Sequence, residues 1–229
     1  MKILAIDTAT TSGGIAILED DRIIAEYTDS AKETHSEKLL PFIDNLLKSN
    51  RINLNALDCF AVAIGPGSFT GLRVGIATIK GLAWPLKKPV VGISTLKALA
   101  MNIRDEDKLI CPLLDARKNE VYAAVYEWDG DNLVTEKEDC ITNSEDLLKS
   151  LNKPTVFIGD GIDVYGDIFK NALGDNAIFA PHNLWRIKAS NIAKLAFIEI
   201  KNGNAQPPES IMPNYLRKSY AEIKLNNLT

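Results

Sequence analysis

Two stretches of the chain carry residue types that handle anions. The first, Gly65-Pro66-Gly67-Ser68-Phe69-Thr70-Gly71-Leu72-Arg73-Val74-Gly75, is a glycine-rich turn between an apolar run and a helical pattern. Backbone amides at a helix start attract negative charge, and glycine lets a ligand or another backbone come close. Gly65, Pro66, Gly67, Ser68, Thr70 and Arg73 therefore form a candidate loop for an anion or a partner's backbone. It is not a Walker A loop, because Leu72-Arg73 stands where Lys and then Ser or Thr are required, and the Gly67 to Gly71 interval is too long for GxGxxG. The second stretch is Asp7-Thr8-Ala9-Thr10-Thr11-Ser12, where Asp7, Thr8 and Thr10 are candidates for holding nucleotide phosphates. The same residues serve Asx and Ser/Thr turns by purely local hydrogen bonds.

Other chemistries find less material. His35 and His182 are the only histidines and show no HxxxH or HExxH spacing, which speaks against a metalloenzyme. Cys59, Cys111 and Cys140 are odd in number and widely spaced, so neither a disulfide framework nor a zinc site is expected, and a reducing cytoplasm fits. Asp115, Arg117 and Glu120 could make a site or be ordinary surface charges. A net charge of -4 opposes unaided nucleic-acid binding. The opening apolar run is cut by Asp7, too early for a signal peptide or a membrane span, and no membrane association is expected.

The elements that would position these residues follow from periodicity. Residues 2–6 read as a buried strand, 14–18 as its antiparallel partner and 23–27 as a third strand, followed by a helix over 36–49 with Pro41 near its first turn or at a kink. A strand over 60–64 leads into the glycine-rich loop, a helix runs from Gly71 to Trp84 and stops at Pro85, and a strand at 90–93 precedes a helix capped by Ser94 or Thr95. From Leu109 the order strand, Asp115, linker, strand, acidic turn begins again, which either a duplication or two unrelated hairpins would produce. A capped helix near 145–151, a strand at 155–159 and helices at 165–172 and 189–201 complete the pattern. The expectation is an α/β fold with mixed sheets in two lobes. Residues 1–103 form the first lobe, which the C-terminal helix can rejoin, 104–206 the second, and 207–229 an irregular tail.

The helix after His35 carries two adjacent apolar stripes, drawn from Leu39, Leu40, Ile43, Leu46 and Leu47. That is wider than one core needs, so one stripe is expected to meet a partner chain. Gly71, Gly75 and Thr78 offer close approach on the later helix, and with His35 they complete the partner-interface candidates. Leu39 or Ile43 is the position where a charged substitution is expected to break pairing while the monomer stays folded.

Taken together, Lys2 to Thr10, His35 to Pro41, Gly65 to Gly75, Gly92 to Ala100, Asp115 to Tyr122, Gly159-Asp160-Gly161 and Pro213 to Arg217 resemble, in order and from end to end, the TsaB (YeaZ) family. Asp115 to Tyr122 is distinctive of that family, whereas Gly65 to Gly75 is shared with its paralogue TsaD. The resemblance implies an actin-like (ASKHA, ribonuclease H-like) fold and a non-catalytic subunit required for threonylcarbamoylation of adenosine 37 in tRNAs reading codons that begin with A. It implies a heterodimer with TsaD, joined by TsaE, a homodimer in isolation, and tRNA contact only through the complex. No cofactor of its own is expected; ATP or ADP and metal belong on TsaD or at the interface. TsaD's metal-binding histidine pair would fall near 92–100, a stretch without histidine here. The rival reading is a stand-alone actin-like ATPase or a glycoprotease-like peptidase.

Overall fold

The computed structural model describes residues 1–29 and 35–217, with the side chains of residues 29 and 35–37 outside that description. The side chain of the interface candidate His35 and the tail from 218 onward therefore lie outside that description. The first sheet is built from β1 (Lys2–Asp7), β2 (Gly13–Glu19), β3 (Arg22–Asp29), β4 (Cys59–Gly65) and β5 (Val90–Ser94), in the order β3-β2-β1-β4-β5. β1 pairs antiparallel with β2 and parallel with β4, so the sheet is mixed. α1 (His35–Ser49), α2 (Phe69–Leu86) and α3 (Thr95–Ala100) complete the first half.

The second sheet contains β6 (Leu109–Asp115), β7 (Val121–Asp129), β8 (Asn132–Thr142), β9 (Thr155–Ile158) and β10 (Ala177–Phe179), in the order β10-β9-β6-β7-β8. α4 (Ser144–Leu148), α5 (Gly161–Leu173) and α6 (Ala189–Lys201) are its helices in chain order. Matching β6 to β1 reproduces the first sheet strand for strand, antiparallel to the following hairpin and parallel to β9. Even the turn after the fourth strand recurs: Gly65 has φ 121° and Gly159 has φ 117°. Two unrelated hairpins would not reproduce the crossover order, so the duplication reading is the correct one.

Alternation along the central strands assigns their faces. Leu4 and Ile6 of β1 join Ile15, Ile17 and residues of α1 and α2 in one core, whereas Ile3 and Ala5 face the opposite side. There they meet Leu96 and Leu99 of α3, Ile192 and Leu195 of α6, and Ile110, Tyr126 and Val156 of the second sheet in a core shared by both lobes. Leu109, Cys111 and Leu113 point outward under α4 and α5. The stack runs α1/α2, first sheet, α3/α6, second sheet, α4/α5. The C-terminal helix rejoins the first lobe: β6 to β10 form the second sheet, while α6 packs on β1, β2 and β5.

Several expectations need correcting. α2 begins earlier, because Ser68 caps it, and runs through Pro85, because Lys87 turns left-handed (φ 52°) and donates its N–H back to Ala83 and Trp84. β8 and β10 had no counterpart in the periodicity: β8 is a charged edge strand, and β10 has only three residues. Residues 206–217, the described part of the irregular tail with the residue before it, form a strap on the first lobe, bridging to Val90 and burying Ile211.

Candidate functional site

The hairpin turn after β1 and the glycine-rich turn after β4 lie against each other because their strands are parallel neighbours. Asp7 ends β1 with its carboxyl fully buried. Its Oδ1 accepts from Ala9 N at 2.9 Å, and Oδ2 has no partner among the described residues. Burial raises the Asp7 pKa to about 7, against the smaller opposing effect of the Ala9 hydrogen bond. Thr8 is also buried, and its Oγ1 donates to Gly71 O at 2.7 Å. Thr10 is half-buried and shares its hydroxyl with Ser12.

The glycine loop closes on this turn. Ser68 N donates to Ala9 O at 2.7 Å, and Ser68 Oγ accepts from Gly71 N at 3.3 Å, the α2 cap. A Cβ on Gly67 would stand 2.3 Å from Ala9 O, one on Gly71 1.9 Å from Thr8 O, and one on Gly75 2.3 Å from Thr8 Oγ1. These glycines are needed for contact within the chain, which corrects the expectation that Gly71 and Gly75 offer room to a partner. Of the residues expected to hold phosphates, Thr8 bonds the chain's own glycine loop, and the Asp7 carboxyl is fully buried beside Ala9 N. The two turns are sealed against each other, with Ser68 N taken up by Ala9 O and Gly71 N by Ser68 Oγ. Among the described residues no group of three or more His, Cys, Asp or Glu is placed to hold a metal ion.

The strap completes the closure. Asn214 N donates to Ile64 O at 2.7 Å, and Tyr215 stacks on Phe69 with ring centroids 4.4 Å apart. Arg73 Nε donates to the Tyr215 hydroxyl at 2.9 Å, so the guanidinium expected to face an anion is held by the strap. Arg217 then pairs with Glu120 of the second lobe. Pro66, Gly67, Phe69 and Leu72 end up covered by Asn214 to Arg217, with no usable space between. Sequence reasoning missed this contact, although Pro213-Asn214-Tyr215-Leu216-Arg217 was among the noticed motifs, because an irregular segment has no period to betray what it packs on.

The helix candidates divide by face. Leu39, Ile43 and Leu47 are core residues, with Ile43 2% exposed, and Leu46 packs beside them. A charge at Leu39 or Ile43 would attack the fold itself, which corrects the expectation that the monomer would survive it. Leu40 is the large apolar residue of α1 that points outward among the described residues, 53% exposed. On α2 the outward positions are Thr70, Arg73, Ala77, Gly81, Trp84 and Pro85, while Thr78 is half-buried beside them. Among the described residues no helix is long and apolar enough to cross a membrane.

Comparison with known proteins gives a consistent picture. A family model described as TsaD, tRNA N6-adenosine threonylcarbamoyltransferase, matches residues 22–225. The chain is 34% identical to the Bacillus subtilis tRNA threonylcarbamoyladenosine biosynthesis protein TsaB, over 98% of this chain and 97% of that one. It is 30% identical to the Escherichia coli protein of the same name, over 98% of each. A solved Pseudomonas aeruginosa structure, described by its similarity to peptidase YeaZ, superposes with a TM-score of 0.82 at 25% identity, covering 94% of this chain and 99% of that one.

Proposed function

From the premise that the chain belongs to the TsaB family of tRNA threonylcarbamoyladenosine biosynthesis proteins, we propose that it is a non-catalytic subunit for modification of adenosine 37 in tRNAs reading codons that begin with A. It acts in the cytoplasm by pairing with TsaD, with TsaE joining the assembly, and it pairs with itself when TsaD is absent. ATP or ADP and metal sit on TsaD or at the interface, and tRNA is met through the complex.

The observation that carries this reading is the sealed pair of turns. A phosphate needs amides open to it, and here Thr8 O and Ala9 O lie where the glycine loop's missing Cβ atoms would be. Chemistry at that place would require the loop, the strap or both to lift away. The outward residues of α1 and α2 then supply the pairing face. Leu40 gives apolar area, and Ala77 and Gly81 leave the α2 surface low enough for another helix to approach closely.

Reconstitution tests the proposal. TsaD, TsaE, the threonylcarbamoyl-adenylate synthase and tRNA are supplied with threonine, bicarbonate and ATP, with and without this chain, and modified adenosine is read by mass spectrometry. Modification only when the chain is present, with no turnover by the chain alone, is expected. Equal modification without it, or ATP hydrolysis by the chain alone that Asp7→Ala abolishes, would return the reading to a stand-alone enzyme.

A further inference from the structure

The outward face of α2 carries a single charge. Thr70, Ala77, Gly81, Trp84 and Pro85 are uncharged, and Arg73 stands among them. Lys80, the next cation along the helix, turns to the strap, where its Nζ donates to Glu209 O at 3.3 Å.

Arg73 is held in place, and by a neutral group. Its Nε donates to the Tyr215 hydroxyl at 2.9 Å, its guanidinium carbon lies 5.8 Å from the centre of the same ring, and that ring stacks on Phe69 at 4.4 Å. Arg104 and Arg217, the other arginines whose side chains are hydrogen-bonded among the described residues, both answer acids: Arg104 meets Glu106 and Asp131, and Arg217 meets Glu120. Arg73 enters no ion pair among the described residues, and its two Nη groups enter no hydrogen bond there. Ordering so long a side chain costs entropy that a phenol hydroxyl offsets poorly. The arrangement leaves a planar fork fixed at one nitrogen with its remaining donors free on an exposed face.

A fixed fork of that shape matches a carboxylate, which takes two parallel N–H bonds. Nucleic acid would call for several cations on the face, and one is present. A second copy of the chain brings no acid on the outward face of α2, and Asp44, the acid of α1 among the described side chains, is already paired with Lys48 at 2.7 Å. We propose that Tyr215 is a positioning residue that presents the Arg73 fork to a carboxylate on the docked face of TsaD, and that this contact favours TsaD over a second copy. The inference rests on the pairing reading above.

The test measures pairing of the full chain with TsaD by calorimetry, and self-association by sedimentation, for wild type and three variants. Arg73→Gln should weaken pairing with TsaD about ten- to a hundredfold, the loss of a hydrogen-bonded charge pair, and leave self-association unchanged. Arg73→Lys should recover only part of that loss, because an ammonium keeps the charge without the fork. Tyr215→Phe keeps the ring on Phe69 but frees the guanidinium, and should weaken pairing with TsaD about two- to tenfold. On the Arg73→Gln background Tyr215→Phe should change pairing no further. An Arg73→Gln variant that pairs with TsaD as the wild type does overturns the inference, as does one that loses TsaD and self-association alike. A Tyr215→Phe effect of equal size with and without Arg73 overturns the positioning role. If the wild-type chain does not pair with TsaD at all, the pairing reading fails first and the inference falls with it.

Discussion

Asp7→Asn should stabilise this protein, and by an amount that depends on pH. The carboxyl is fully buried, Oδ2 has no partner among the described residues, and burial lifts the pKa from 3.8 to about 7. Because the folded state holds this proton more tightly than the unfolded chain, stability from the group is greatest in acid. It falls as pH climbs through the window from 3.8 to about 7 and then stays level. A separation of about three pH units at about 1.4 kcal/mol each gives roughly 4 kcal/mol between the two ends. Asparagine keeps an oxygen for Ala9 N and places an NH2 where Oδ2 now lies. That unpartnered donor costs about 1 to 3 kcal/mol, but the protonated carboxylic acid carries a similar burden, so the pH-dependent part survives. Urea unfolding of both proteins at several pH values from 5 to 8 should show the variant gaining on the wild type up to about pH 7 and holding that gain above it. A stability difference that is flat across that range, or one that turns against the variant at pH 8, would refute the account of Asp7 as an isolated buried acid.

Leu39→Asp should leave little folded protein, since burying an unpaired charge in the core under α1 costs several kcal/mol. Leu40→Asp should fold normally by circular dichroism yet fail to co-elute with TsaD. Gly71→Ala drives a Cβ into Thr8 O and should lower the unfolding midpoint sharply, whereas Gly81→Ala meets open space and should raise stability by about 1 kcal/mol through helix propensity. Burial pushes the Cys59 thiol up to about 12 and also raises the fully buried Cys111, so a thiol reagent at pH 8 should label Cys140 alone in the native protein and all three cysteines in denaturant.

The strands and helices that carry strong periodicity were legible from the sequence. β1, β2, β4 and β6 are apolar runs bounded by turns, and α6 has its stripe and its stop at Asn202. β8 was not legible, because an edge strand buries little and Glu136, Lys137, Glu138 and Asp139 read as loop. The face of α1 that turns inward was not legible either. Leu39, Leu40, Ile43 and Leu47 all lie within reach of one apolar arc, and only the position of β2 and β3 decides that Leu40 is left outside. The strap shows the same limit: what holds Tyr215 is Phe69 and Arg73, residues far away in sequence.

The duplication bears on how the glycine-rich loop should be understood. Its composition suggests anion binding, yet the second lobe repeats its geometry without its sequence. After β9, Gly159 and Gly161 press on Leu113 near the end of β6, where Cβ atoms would lie 2.2 Å from Leu113 O and 2.9 Å from Leu113 Cβ. After β4, Gly67 and Gly71 press in the same way on the backbone that follows β1. In both lobes a strand must turn sharply into a helix while lying against its parallel neighbour, and only a residue without a side chain allows that approach. The glycines thus answer a packing demand that the fold makes twice, and they give no independent support for a phosphate site. What distinguishes the first lobe is Arg73 with Phe69, and both are engaged by Tyr215. If the loop were instead a working anion cradle, Tyr215→Ala should uncover it and produce phosphate or nucleotide binding by calorimetry. If packing is its role, the same variant should lose stability and bind neither.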